Sequence, residues 1–256
     1  MKIVVAIKQV PARDSQLKIN AAGAWIEDAD LSWEINEPDA YALEAALQFR
    51  ETSGATGGEV VVLCAGPDRA TQTIREALAK GADRAIHIEM EEGAADPLAL
   101  ARAMAKALES EKPDVILTGL QSDDLGFGQT GVILAEVMGF AHATLVMSME
   151  AAGGGIRVKR ELEDGWFQHM EMTLPALLTI QSGAAKLRYA TLMGIKKAKS
   201  KEIKRVAAES GAATPSLRLE RIYFPQKSKR SQIFEGTPQE TAAQLVDKLR
   251  FEARVL

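Results

Sequence analysis

The stretch VILTGLQSDDLGFGQTG, residues 115–131, gathers the residue types best suited to chemistry in this sequence. Gly119, Gly126 and Gly128 lie between a short apolar run and a helical pattern, where a loop can bring backbone N–H groups close to an anion. The helix that follows adds its partial positive charge. Asp123 and Asp124 carry carboxylates able to accept hydrogen bonds from sugar hydroxyls. Together these features describe a nucleotide site. The same loop also reads as ordinary strand-to-helix punctuation, because its spacing matches neither the Walker nor the Rossmann fingerprint. Taken as metal ligands for phosphoryl transfer, Asp123 and Asp124 lack a neighbouring set of Lys, Arg and Ser.

No other constellation competes with this one. The sequence has no nucleophile elbow, no His-containing triad and no evident acid–base pair of carboxylates. The single cysteine, Cys64, ends an apolar run and reads as a buried, inert thiol. It rules out an intrachain disulfide framework and a Cys-rich zinc or iron–sulfur site. His87, His142 and His169 lie far apart without ligand spacing and read as structural. No catalytic residue and no metal site is expected, so any redox work falls to a cofactor.

The elements that must position the loop follow from hydrophobic periodicity. Apolar runs at 3–7, 59–64, 85–88, 115–117 and 176–180 predict buried strands. Helical spacing predicts helices from Asp39 (with Asp39 as the cap), from Arg69 to Lys80, from Pro97 to Ser110 and up to Gly139. Strands alternating with helices imply right-handed crossovers and a parallel sheet, an α/β fold. After Gly139 the pattern changes to a strand over 143–150 and alternating runs on either side of Glu163-Asp164-Gly165, a hairpin signal. From Leu187 onward the chain reads as an arm. It has a lysine cluster, a linker over 207–216, an apolar plug at Ile222–Phe224 and a final amphipathic helix from Thr237 to Leu249.

Charge supports that division. Residues 1–195 carry 17 basic against 28 acidic side chains, and residues 196–256 carry 14 against 7. A basic arm on an acidic body seeks an acidic partner. No apolar run reaches the roughly 18 residues of a membrane span. The N-terminal residues carry no signal or transit pattern, so a cytoplasmic chain is expected.

Several stretches resemble, in order, the electron transfer flavoprotein beta subunit. They are MKIVVAIKQVP at the start, Asn36-Glu37-Pro38-Asp39 before ALEAAL, the Gly119–Gly131 loop, the Arg160–Gly165 hairpin, LPALLTIQ and RYATL. The resemblance implies a nucleotide-binding domain over 1–186, similar to adenine nucleotide alpha hydrolases, with an added antiparallel hairpin. Residues 187–256 would be a recognition loop and a basic arm packing on an alpha subunit. It also implies an AMP bound for structural reasons, and an FAD held mainly by the alpha subunit. Electrons would pass from acyl-CoA dehydrogenases or other flavin dehydrogenases to a membrane quinone reductase, and the chain alone would not be an enzyme. Carried over by position, Ala6 lies under the adenine, with Asn36, Glu37, Pro38, Asp39 and Ala65 as neighbouring walls. Gly119, Gln121, Ser122, Asp123, Asp124, Gly126, Phe127, Gly128, Gln129 and Thr130 wrap ribose and phosphate. Arg188, Tyr189 and Leu192 belong to the loop that docks on dehydrogenases, with Leu192 as the apolar anchor.

Two departures stand out. Ala185-Lys186-Leu187 replaces the Asn and Pro that often precede the recognition loop, and Cys64-Ala65 stands where some members set a cysteine against the nucleotide. Some members of the family bifurcate electrons and hold a second FAD in place of AMP. The Ser122-Asp123-Asp124 and Gln129-Thr130-Gly131 runs look more like the AMP type. A stand-alone adenine-nucleotide sensor is the other alternative, disfavoured by the apolar plug, which such a module would not need.

Overall fold

The computed structural model describes residues 1–52, 58–91, 96–208, 215–225 and 231–256. The strands in chain order are β1 (Lys2–Ile7), β2 (Gln9–Pro11), β3 (Trp33–Ile35), β4 (Glu59–Gly66), β5 (Arg84–Glu89) and β6 (Val115–Gly119). They continue with β7 (Ala141–Ala152), β8 (Gly155–Glu161), β9 (Phe167–Met172), β10 (Ala176–Ile180) and β11 (Ile203–Ala207). The helices are α1 (Glu37–Thr52), α2 (Thr71–Lys80), α3 (Pro97–Leu108), α4 (Thr130–Met138), α5 (Leu192–Ala198) and α6 (Pro238–Asp247).

Nine strands form one sheet in the order β11-β5-β4-β1-β6-β10-β7-β8-β9. The seven from β11 to β7 run parallel, and β8 and β9 add antiparallel to the edge. The α/β class and the added hairpin read from the sequence are thus present. Alternation along β1 explains its continuous apolar run. Ile3, Val5 and Ile7 pack with Leu43, Leu47, Ile74 and Leu78 of α1 and α2. Val4 and Ala6 pack on the other face with Met104 and Leu108 of α3 and Leu134 of α4. A strand covered by helices on both sides must be apolar at every position.

The hairpin forms where the Asp-Gly pair placed it. Asp164 and Gly165 take left-handed backbone angles (φ 57° and 76°), and Leu162 N–H donates to the Trp166 carbonyl at 2.9 Å. The short antiparallel pair β2–β3 was not legible in the sequence beyond an extended piece leading to Asn36. Asp39 is not the cap of α1. The helix starts at Glu37, and Ala40 N–H already donates to the Asn36 carbonyl at 3.0 Å.

A second correction concerns residues 187–207. They are not the start of an arm, because α5 packs against α2 and β11 extends the parallel sheet beside β5. Ile203 packs with the core on one face of the sheet and Val206 with the core on the other. The charges between them find partners in the acidic body, Arg205 reaching Asp68 at 2.6 Å and Glu89 at 2.7 Å. Charged side chains of this kind also guard an edge strand against further pairing. The division between compact units falls after Arg221, with Ile222–Leu256 as the second unit.

In that second unit α6 begins with Pro238 behind a capping box, in which Thr237 and Glu240 satisfy each other's backbone N–H. None of the side chains of α6 is buried, and Phe224, Ile233 and Phe251 are exposed. The expected linker over 207–216 lies largely outside the described residues. Among the described residues no helix is long and apolar enough to cross a membrane.

Candidate functional site

The sheet's chain order reverses at β1, which has β4 on one side and β6 on the other, so a crevice opens between their carboxyl ends. It encloses about 1190 Å³ of empty space, part of it open to solvent. Ala6, Ala65 and Gly119 line it at the ends of the three strands, and Asn36 and Asp39 line it at the start of α1. Gln121, Ser122, Phe127, Gly128, Gln129 and Thr130 complete one wall. Glu37, Asp123, Asp124 and Gly126 do not line the cleft and instead hold the loop that does, and Pro38, also outside the lining, abuts Gly119 where the loop begins.

The anchoring is specific. Asn36 bridges the loop in both directions, its Nδ2 donating to the Gln121 carbonyl at 3.0 Å and its Oδ1 accepting from Asp123 N–H at 2.9 Å. Asp123 accepts from the Glu37 N–H at 3.3 Å, and Arg13 lies 3.6 Å away. Lys8 Nζ pairs with Asp124 at 2.6 Å, so a cation brought from the end of β1 supplies what the local sequence lacked. Burial pushes the Asp124 carboxyl up, but the charge and hydrogen bond of Lys8 prevail and hold it below its ordinary value. Gly126 and Gly128 both sit at φ 63°, a backbone region that favours glycine. Here the glycines let the loop fold back, and Gly126 N–H donates to the Ser122 carbonyl at 3.0 Å.

The amides at the loop's end are the chemically telling feature. The first helical bond of α4 runs from Ile133 N–H to the Gln129 carbonyl at 3.0 Å, and the cap residue Gln129 makes no side-chain bond to the helix. The N–H groups of Thr130, Gly131 and Val132 therefore lack helical partners, and Thr130 and Gly131 line the cleft. Such an uncapped N-terminus suits an anion. A side chain at 131 would come within 2.6 Å of Thr118 Oγ1, so this approach is open only to glycine.

Asp39 closes the back of the site. Its carboxylate accepts from Lys8 N–H at 2.8 Å and from Gly119 N–H at 2.9 Å, tying α1 to the ends of β1 and β6. Burial pushes its carboxyl up to about 7, against the pull of these donors and of the Lys8 charge. Cys64 lies one strand away, its thiol pushed up to about 12 by burial and by the Asp39 charge, which makes it inert at neutral pH. His87 is buried with Nε2 3.0 Å from the Gly66 carbonyl oxygen, a structural prop for the end of β4.

Sequence reasoning missed a second wall formed by Gln9, Trp25, Arg69, Pro97, Leu100 and Met104. Arg69 follows the Gly-Pro break after β4, a signal that was available, and its guanidinium stacks 3.7 Å over the Trp33 ring. Trp25 comes from the long excursion between β2 and β3, which carries no local signal of its place. Arg188, Tyr189 and Leu192 lie away from the cleft. Tyr189 and Leu192 are 93% and 82% exposed, whereas the Arg188 guanidinium is held by Glu44 and Glu51 at 2.8 and 2.7 Å.

Parallel sheet, switch-point crevice and uncapped helix together define an α/β protein with an anion-suited cleft at its switch point. Residues 24–210 match the family model described as the electron transfer flavoprotein domain. The chain is 37% identical to the electron transfer flavoprotein subunit beta of Methylophilus methylotrophus, covering 96% of this chain and 97% of that one. It is 36% identical to the subunit beta of Bradyrhizobium diazoefficiens over the whole of both chains. It is also 34% identical, again over both full lengths, to the mitochondrial subunit beta of Oryza sativa subsp. japonica. The chain belongs to the electron transfer flavoprotein family, on its beta-subunit branch.

Proposed function

We propose that this chain is the beta subunit of a heterodimeric electron transfer flavoprotein, binding AMP for structural reasons and supporting an FAD held mainly by an alpha subunit. The observation that carries the AMP reading is the uncapped start of α4 at the mouth of a cleft walled by Ala6 and Ala65. Small side chains leave room for a flat base between strand ends, and the apolar flank of Leu100 and Met104 suits its faces. Thr130 and Gly131, whose amides have no partner within the helix, line the part of the cleft where a phosphate would sit. The loop's own carboxylates are already paired with Lys8 and Arg13, which keeps their negative charge from opposing that phosphate.

The FAD, when bound, supplies the electron-carrying chemistry, and this chain's residues supply binding and orientation. Acyl-CoA dehydrogenases or other flavin dehydrogenases are the proposed donors, and a membrane quinone reductase is the proposed acceptor. The exposed Tyr189 and Leu192 form the proposed docking face for the donor, with Leu192 as its apolar anchor. The chain is then an electron-carrier subunit, not an enzyme by itself.

The test is the nucleotide and flavin content of the protein co-expressed with its alpha subunit, released by denaturation and separated by chromatography. One FAD and one AMP per heterodimer is the expected result. Two FAD without AMP would mean that the cleft holds a second flavin and that the heterodimer bifurcates electrons. A chain that carries no flavin, stays alone and binds ATP as well as AMP would be a nucleotide sensor.

A further inference from the structure

We infer that Arg188 acts as a positioning residue, which fixes the docking segment onto α1 rather than touching the partner; this rests on the reading of Tyr189 and Leu192 as the docking face. All three guanidinium nitrogens are engaged within the chain. Nε and Nη2 reach the two carboxylate oxygens of Glu44 at 2.8 and 3.1 Å. Nη1 and Nη2 reach those of Glu51 at 2.7 and 3.1 Å. The Arg188 N–H adds a bond to Glu44 at 3.3 Å. Two bidentate forks use four of the five N–H donors of an arginine, with one on Nη1 left over, and leave little to offer a partner.

The receiving face is prepared for this. Glu44, Gln48 and Glu51 lie on one side of α1, and Gln48 Nε2 holds Glu44 Oε1 at 2.7 Å. The Glu44 side chain is only 5% exposed, so it cannot reach a docked protein itself. The hydrogen bonds and charge of Arg188 outweigh the burial of Glu44 and hold its carboxyl below the ordinary value. A carboxylate so buried stays ionised only with such a partner.

A second foothold fixes the other end of the segment. A side chain on Gly194 would meet the Ala79 carbonyl oxygen at 2.3 Å, so α5 rests directly on the backbone of α2. Arg75 Nη1 donates to the carbonyls of Ala198 and Lys201 at 2.5 and 2.7 Å, binding the end of α5 to the same helix. Lys201 Nζ donates in turn to the Leu78 carbonyl at 3.0 Å and to that of Ala82. Between these footholds Tyr189, Leu192 and Met193 project into solvent, Met193 being 62% exposed. An apolar trio on a rigid mount docks without first having to be ordered, which is where preorganisation gains affinity.

The experiment uses the flavin-loaded heterodimer and measures its KM and kcat as electron acceptor from an acyl-CoA dehydrogenase. Arg188→Gln and Glu44→Gln should both raise KM by about tenfold or more, the scale of leaving three side chains and their loop to be ordered on binding. Both should leave kcat within about twofold. Glu51→Gln, at a half-exposed position that tolerates change, should move KM the same way by a smaller factor. It provides the readout if either stronger variant loses flavin or unfolds. A KM that rises for Arg188→Gln but stays unchanged or falls for Glu44→Gln and Glu51→Gln would overturn the inference, because freeing the guanidinium would then leave a direct contact intact. Leu192→Ala separates the two layers. A raised KM there with silent glutamate variants defeats only the positioning role, whereas a silent Leu192→Ala defeats the docking face as well.

Discussion

Gly119→Ala tests whether the joint between α1 and β6 builds the proposed nucleotide site. A Cβ at 119 would stand 2.4 Å from Asp39 Oδ1, 2.6 Å from Pro38 Cβ and 2.7 Å from the Pro38 carbonyl carbon. None of these atoms is the loose end of a flexible side chain. Asp39 is fixed by Lys8 N–H at 2.8 Å, and Pro38 lies in the first turn of α1. Relief requires the start of α1 to back away from β6 by roughly 1 Å, which forfeits the bond from Gly119 N–H to the buried carboxylate. Overpacking costs about 1–3 kcal/mol and the lost bond about 1–3 kcal/mol more, so a loss near 4 kcal/mol is expected. For a chain of this size that lowers the apparent unfolding midpoint by about 8–16 °C. Asn36 would shift with the helix, and bound AMP should fall to a minor fraction of the heterodimer.

The comparison variant is Gly139→Ala, where φ is 67° and a side chain meets nothing within 4 Å. Its cost is conformational only, about 1–2 kcal/mol, and AMP content should be unchanged. Thermal unfolding of the two variants beside the parent, with nucleotide release measured on the same samples, decides the matter. If Gly119→Ala melts no lower than Gly139→Ala, or keeps its full AMP, the joint does not build the site.

Two further expectations follow from buried carboxyls. Asp39 has a folded-state value near 7 against 3.8 for a free carboxyl, so the stability it contributes is present at low pH. That contribution, on the order of 4 kcal/mol at most, is lost as pH rises from about 4 through about 7. Denaturant midpoints between pH 5 and pH 8 should show the parent losing stability relative to Asp39→Asn, and parallel curves would refute this. Glu111 behaves in the opposite sense, held at about 2 chiefly by its hydrogen bonds to Arg84 and then to Lys2. Its contribution is present above about 4.5 and lost as pH falls through about 2. Glu111→Gln should cost about 1–2 kcal/mol at pH 7, after discounting for the part-exposed partners, and less than half of that at pH 3. An equal cost at both values would show that the ion pairs are not its source.

What the sequence disclosed, and what it withheld, divides along the range of the interactions. The buried strands, the Asp-Gly hairpin and the Gly-rich loop rest on local periodicity and turn chemistry, and each was legible. The sharing of the loop's carboxylates was not, because Lys8 and Asp124 are separated by 116 residues and meet only through the parallel pairing of β1 with β6. Asp39 misled for a related reason. Next to a helical pattern it reads as a cap, yet it serves two strand ends that no local rule connects to it. The basic segment around β11 looked unburiable because its charges were counted without their partners. Arg205 and Lys204 sit against Asp68, Glu89 and Glu111, and Ile203 and Val206 on either side of them reach the two cores.

The separation of mount from face at residues 188–198 has an evolutionary consequence. Arg188 and Gly194 are committed to α1 and α2, and a change at either is felt by the fold. Tyr189, Leu192 and Met193 touch little of their own chain, so substitution there is nearly free of stability cost. On the proposed reading of this face as the docking surface, its exposed side chains can be altered for a new redox partner while the geometry that presents them is inherited intact.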